Sequence, residues 1–182
     1  MIKINSSKIL LNTDYLNSME KNYGFSFPAE YEDFLKKYNG GRPENNIVKL
    51  NNEEIESLCV NYFFGVGINS VDDIFSSINT FNGRIPKGCV PIARVEGGDI
   101  ICININKDMY GHIYYWDHEK EIQFEFNEIA ITDLIHLAES FNKFINIIEP
   151  YNVKDEDLSG YKVKSVWIDH DFLKELENNQ DN

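Results

Sequence analysis

Three apolar, β-branched runs, residues 90–95, 100–105 and 112–116, follow one another with only residues 96–99 and 106–111 between them. Each has the length and composition of a strand. A parallel crossover needs about a dozen or more connecting residues, so connections this short permit antiparallel pairing alone. The centre of the chain is therefore limited to an antiparallel sheet. The first connection, Glu96-Gly97-Gly98-Asp99, carries a glycine pair. A phosphate-cradling loop would open into a helix and carry Lys-Ser or Lys-Thr behind the glycines. Here an apolar strand follows and carboxylates flank the pair, so the glycines turn the chain rather than hold an anion.

Helices are expected on either side of this sheet. In FPAEYEDFLKKYNGG, Pro28 suits a first helical turn. Glu30, Glu32 and Asp33 complement the positive end of the helix dipole, and Lys36 and Lys37 the negative end. Tyr31, Phe34, Leu35 and Tyr38 form the buried face, and Gly40-Gly41 supplies a left-handed exit. An earlier helix is capped by Thr13 or Asp14, carries Leu16, Met19 and Tyr23, and stops at Gly24. SVDDIFSSINTFNG predicts a helix capped by Ser70, with Val71, Ile74, Phe75 and Ile78 on its stripe and Gly83 at its end. TDLIHLAESFNKFINIIEP is expected to be mainly helix, starting at Thr132 or Ser140 and ending at Pro150. Its apolar side is Leu137, Phe141, Phe144, Ile145 and Ile148. NIVKL, CVNYFFGVG and EIQFEF, the last with Ile122, Phe124 and Phe126, complete the strands.

No internal repeat or low-complexity linker interrupts this pattern. The expectation is one α+β domain over residues 1–150, a mostly antiparallel sheet flanked by helices. An extension over 151–182 carries a short helix from Asp169 that docks through Trp167, Ile168, Phe172 and Leu173.

A formal charge of -13 disfavours nucleic acid or anionic membrane as a direct partner and favours a basic one. The first residues lack the apolar core of a secretory signal, and no apolar run reaches the roughly 20 residues that span a bilayer. A cytoplasmic location is expected. Cys59, Cys89 and Cys102 are too few and scattered for a disulfide framework, and free buried thiols are expected for Cys89 and Cys102. None of His112, His118, His136 and His170 has metal-ligand spacing. WDHE sets His118 between carboxylates, but neighbouring residues on a strand point to opposite faces and cannot converge without help from elsewhere. No nucleophile elbow or other catalytic motif is legible, and no cofactor, metal or enzymatic activity is expected. The candidate partner surface is acidic: Glu96, Asp99, Asp117, Glu119 and Glu121 at turns and strand ends, with Tyr114 or Trp116 as an aromatic anchor.

The order of the pieces resembles one family. A Pro-led helix ends in Asn39-Gly40-Gly41, and Ile85-Pro86 leads into the sheet. Pro91-Ile92-Ala93, the Gly97-Gly98 turn, Gly111 with Trp116-Asp117, and a segment with Ala138, Ser140, Phe141 and Phe144 follow. Together, from Leu16 to Ile148, they resemble the SMI1/KNR4 family of the SUKH superfamily. The resemblance implies an α+β fold and no catalytic motif. Bacterial members commonly serve as immunity proteins in polymorphic toxin systems, binding and blocking a toxin domain, often a nuclease. A fungal member is a regulatory interaction protein in cell-wall synthesis. The implied function is stoichiometric blocking of a cognate, basic toxin; the alternative is a regulatory or scaffold interaction module of the same fold.

Overall fold

In the computed structural model the described residues are 2–52, 55–120 and 130–151. They form, in chain order, β1 (Ile4–Ser6), α1 (Thr13–Tyr23), α2 (Ala29–Tyr38), β2 (Gly41–Pro43), β3 (Ile47–Lys49), β4 (Ser57–Phe63) and α3 (Ile74–Thr80). These are followed by β5 (Cys89–Val95), β6 (Ile100–Asn104), β7 (Ile113–Trp116), β8 (Ile135–Ala138), α4 (Phe141–Asn146) and β9 (Ile148–Glu149). The strands make one sheet in the order β1-β2-β4-β5-β6-β7-β8, with β3 beside β4 and β9 beside β3. Every ladder between these strands is antiparallel. The architecture is therefore α+β, a large antiparallel sheet with flanking helices. The short connections had the stated consequence: β5, β6 and β7 are consecutive antiparallel neighbours, with Val90 opposite Ile103 and Ile101 opposite Tyr115. Between β5 and β6 the chain makes a single 3-10 turn, Glu96–Gly98, and enters a strand. Gly97 and Gly98 hold φ of 87° and 105° there, where a side chain would be strained.

An aromatic cluster holds α2 and α4 together. Tyr31, Phe34 and Phe141 meet with ring centroids 4.9–5.9 Å apart, and Phe34 meets Phe63 of β4 at 5.1 Å. Tyr31, Phe34 and Leu35 are buried as the spacing predicts; Tyr38, near the end of its helix, is half-buried. The exit from α2 depends on Asn39, which is 1% exposed and left-handed at φ 45°. Its amide accepts the Val66 N–H at 2.8 Å and donates to the Val66 carbonyl at 3.0 Å and the Ile9 carbonyl at 3.2 Å. One side chain thus ties the end of α2 to the chain leaving β4. A Cβ on the next residue, Gly40, would lie 2.7 Å from the Phe63 carbonyl oxygen, so the backbones approach only because the residue is glycine.

Several boundaries differ from the sequence expectation. Asn12, not Thr13 or Asp14, caps α1, accepting the Tyr15 N–H at 3.0 Å. Pro28 is the residue before α2 rather than within its first turn. Ser70 does not cap α3. Asp73 does, because one of its oxygens accepts the Ser76 N–H at 3.0 Å while the other accepts the Gly67 N–H at 2.7 Å. The preceding residues form a turn closed by Asn69, leaving Val71 outside the helix and exposed. The stretch from Thr132 is not one helix. It is a 3-10 turn (Ile131–Asp133), then β8 paired with β7, then α4 capped by Ser140. Tertiary pairing along β7 overrides the helical spacing of Leu137, and Ile148 belongs to β9. Cys89 and Cys102 are free and buried; desolvation raises the Cys89 thiol to about 12 and the Cys102 thiol well above its ordinary value. The chain divides into two units at Tyr151 and Asn152. The strand expected at 121–126 and the helix expected from Asp169 lie outside the described residues.

Candidate functional site

The β6–β7 hairpin brings the acidic turn and the acidic strand end together. Ile100 pairs with Trp116, so the next position out along each strand sets Asp99 against Asp117. These residues line a cleft of about 900 Å³ together with Glu96, Glu119, Tyr115 and His118. Its other wall comes from β3 and β4, through Ile47, Leu58 and Cys59. Four expected partner residues (Glu96, Asp99, Asp117 and Glu119) therefore share one concave surface with an apolar component. Glu121 lies outside the described residues.

Asp99 is the organising group. Its side chain is 14% exposed and its oxygens accept from the Tyr115 hydroxyl at 2.5 Å, the His118 backbone N–H at 3.1 Å and the His118 Nδ1 position at 2.6 Å. The help from elsewhere that WDHE needed is this residue, delivered by the glycine turn. Asp99 fixes which face His118 turns to the cleft, while Asp117 and Glu119 follow at its rim. Asp117 in turn accepts the Glu119 N–H at 2.9 Å.

The titration of these groups follows from their contacts. The hydrogen bond to Asp99 is the largest influence on His118 and raises its pKa above 6.5, with the Asp99, Glu119 and Asp117 charges adding to it. A raised histidine pKa means that the pair stabilises the native state fully below pH 6.5 and loses that contribution as pH rises through the raised value. An imidazole titration followed by NMR should therefore give His118 a midpoint above 6.5 that falls back toward 6.5 in Asp99→Asn. An unchanged midpoint would contradict the assignment. Burial, then the adjacent Glu96 charge, raises the Cys59 thiol. A nucleophilic cysteine needs the opposite, a cationic neighbourhood that favours thiolate, so Cys59 stays a protonated thiol in the cleft wall. Tyr115 is likewise pushed up, by burial first and then by its bond to Asp99.

Asp99, Asp117 and His118 each offer a ligand atom within 4.8 Å of the others. Asp99 already accepts from Tyr115 and His118, so a cation there would have to replace existing hydrogen bonds.

The two expected aromatic anchors are elsewhere. Trp116 is 2% exposed, with its ring edge-on to Phe81 at 5.6 Å and under the Arg84 guanidinium at 5.4 Å. Tyr114 is also buried; its hydroxyl donates to Met109 Sδ at 3.0 Å and its ring meets His136. Strand alternation explains the split, since Tyr115 lies on the opposite face from both. Sequence reasoning missed Tyr115 and His118 as cleft residues, and also the wall from β3 and β4. Register arithmetic across the 106–111 loop is the signal that finds the first two. Nothing local foretells the second, because β4 reaches the site through a long-range ladder with β5, Val60 opposite Val95.

Residues 10–147 match the SMI1 / KNR4 family (SUKH-1), and the chain belongs to that family. The family is known for immunity proteins. Among its relatives is the SPbeta prophage-derived uncharacterized protein YokK of Bacillus subtilis (strain 168). The two are 30% identical over 187 aligned positions, covering 90% of this chain and 88% of YokK. Among the described residues no helix is long and apolar enough to cross a membrane.

Proposed function

We propose that this chain is a cytoplasmic immunity protein that neutralises a cognate toxin by stoichiometric binding, with no chemistry of its own. The observation that carries the proposal is the acidic cleft. Glu96, Asp99, Asp117 and Glu119 share a cleft with the apolar Ile47 and Leu58 in a chain of net charge -13. Such a surface suits a basic partner: carboxylates meet lysine or arginine heads while their aliphatic stems lie along Ile47 and Leu58. A toxin that acts on nucleic acid carries basic residues where it grips phosphate, and an acidic protein seated there excludes the substrate. The raised thiol of Cys59 and the engagement of Asp99 with its neighbours favour binding over catalysis at this site.

The test is co-expression with candidate toxin domains from the genes that flank the gene for this chain. The expected result is restored growth and a 1:1 complex in solution. Growth arrest unrelieved by this chain, with no complex formed, would refute the proposal and favour a regulatory interaction module of the same fold.

A further inference from the structure

A second hollow, about 380 Å³, lies along β7 and β8 and is lined by Met109, His112, Tyr114, Leu134, His136 and Glu139. We propose that His112 and His136 are the ligands of a site for a first-row divalent transition metal, such as Zn²⁺, an ion that imidazole suits.

The two histidines are 24 positions apart in sequence, yet His112 Nδ1 and His136 Nε2 lie 3.1 Å apart. A backbone irregularity brings them there. With Ile113 opposite Ala138, a regular antiparallel ladder would place Tyr114 opposite Leu137 and His112 opposite Glu139. Instead the register shifts between Ile113 and Tyr114, and Tyr114 faces His136. A bulge of this kind re-aims a side chain, and bulges concentrate beside functional sites. Here the shift moves an imidazole next to His112, with the ring centroids 5.1 Å apart.

The spacing suits a metal. Two nitrogen ligands on a tetrahedral zinc ion are about 3.3–3.4 Å apart, and about 2.9 Å apart at a right angle. The observed 3.1 Å lies between these values. Without metal, one ring N–H donates to the other ring's lone pair. Binding requires the donor imidazole to move its proton to its other ring nitrogen, which frees both facing lone pairs without net proton loss. Glu139, ion-paired with Lys143, lines the same hollow. Water completes the coordination, since His136 is exposed and His112 half-buried.

Isothermal titration of the tag-free, full-length chain with Zn²⁺ tests the site. One equivalent should bind, with affinity at least tenfold lower in His136→Asn and in His112→Asn and unchanged in His118→Asn. Imidazole resonances of His112 and His136 should move together on adding the ion, in a chain whose other resonances show it folded. Absence of stoichiometric binding overturns the proposal, as does binding undiminished in His136→Asn. Binding lost in His118→Asn would overturn it too, by moving the ion to the acidic cleft.

Discussion

Asn39→Ala should destabilise the native state by about 3–4 kcal/mol, a large fraction of the stability of a typical domain. The Val66 N–H and carbonyl lose their partner when the amide is removed, whereas the exposed Ile9 carbonyl keeps the Ser7 hydroxyl. Leaving a buried donor or acceptor unsatisfied costs about 1–3 kcal/mol, and an alanine held at a left-handed φ costs about 1 more. Asn39→Gly isolates the two contributions: it loses the same hydrogen bonds but tolerates φ 45°, so it should be about 1 kcal/mol less damaging. Urea unfolding of the three chains measures both differences. A change below about 1 kcal/mol for Asn39→Ala would mean that the end of α2 is held by something other than this bridge.

Much of the fold was legible because it is locally encoded. The two connections flanking residues 100–105 admit only hairpins, and the face Tyr31, Phe34, Leu35 is a plain helical stripe. What was not legible has long-range causes. Gly41–Pro43 forms a strand only because β1 and β4 lie beside it. Ile135–Ala138 has a spacing compatible with helix, but β7 supplies an edge whose hydrogen bonds a helix there would forfeit. Val71 resembles the first apolar residue of a helix, and only the double use of Asp73 shows that the helix begins later. The acids of the cleft were legible for a related reason. Turns and strand ends are exposed, and the glycine turn fixes where Asp99 falls. The aromatic beside them was not, because Tyr114, Tyr115 and Trp116 are alike in composition and differ only in which face each takes. The structure gives that place to Tyr115, whose hydroxyl is bound to Asp99.

The central claim is that charge in this cleft captures a basic partner. Glu96→Gln, Asp117→Asn and Glu119→Gln together remove three charges from its rim while leaving Asp99, and therefore Tyr115 and His118, in place. The amide oxygen that Asp117→Asn introduces can still accept the Glu119 N–H, as the Asp117 carboxylate does. Rim charges act mainly on the encounter, so the association rate should fall about tenfold or more at low ionic strength. The difference should shrink as salt brings the screening length below about 10 Å. The decisive measurement is stopped-flow association of the native chain and this triple variant with the toxin domain that it neutralises, at low and high salt. The account predicts rates that diverge at low salt and converge at high salt; equal rates at low salt, in variants that remain folded, would contradict it.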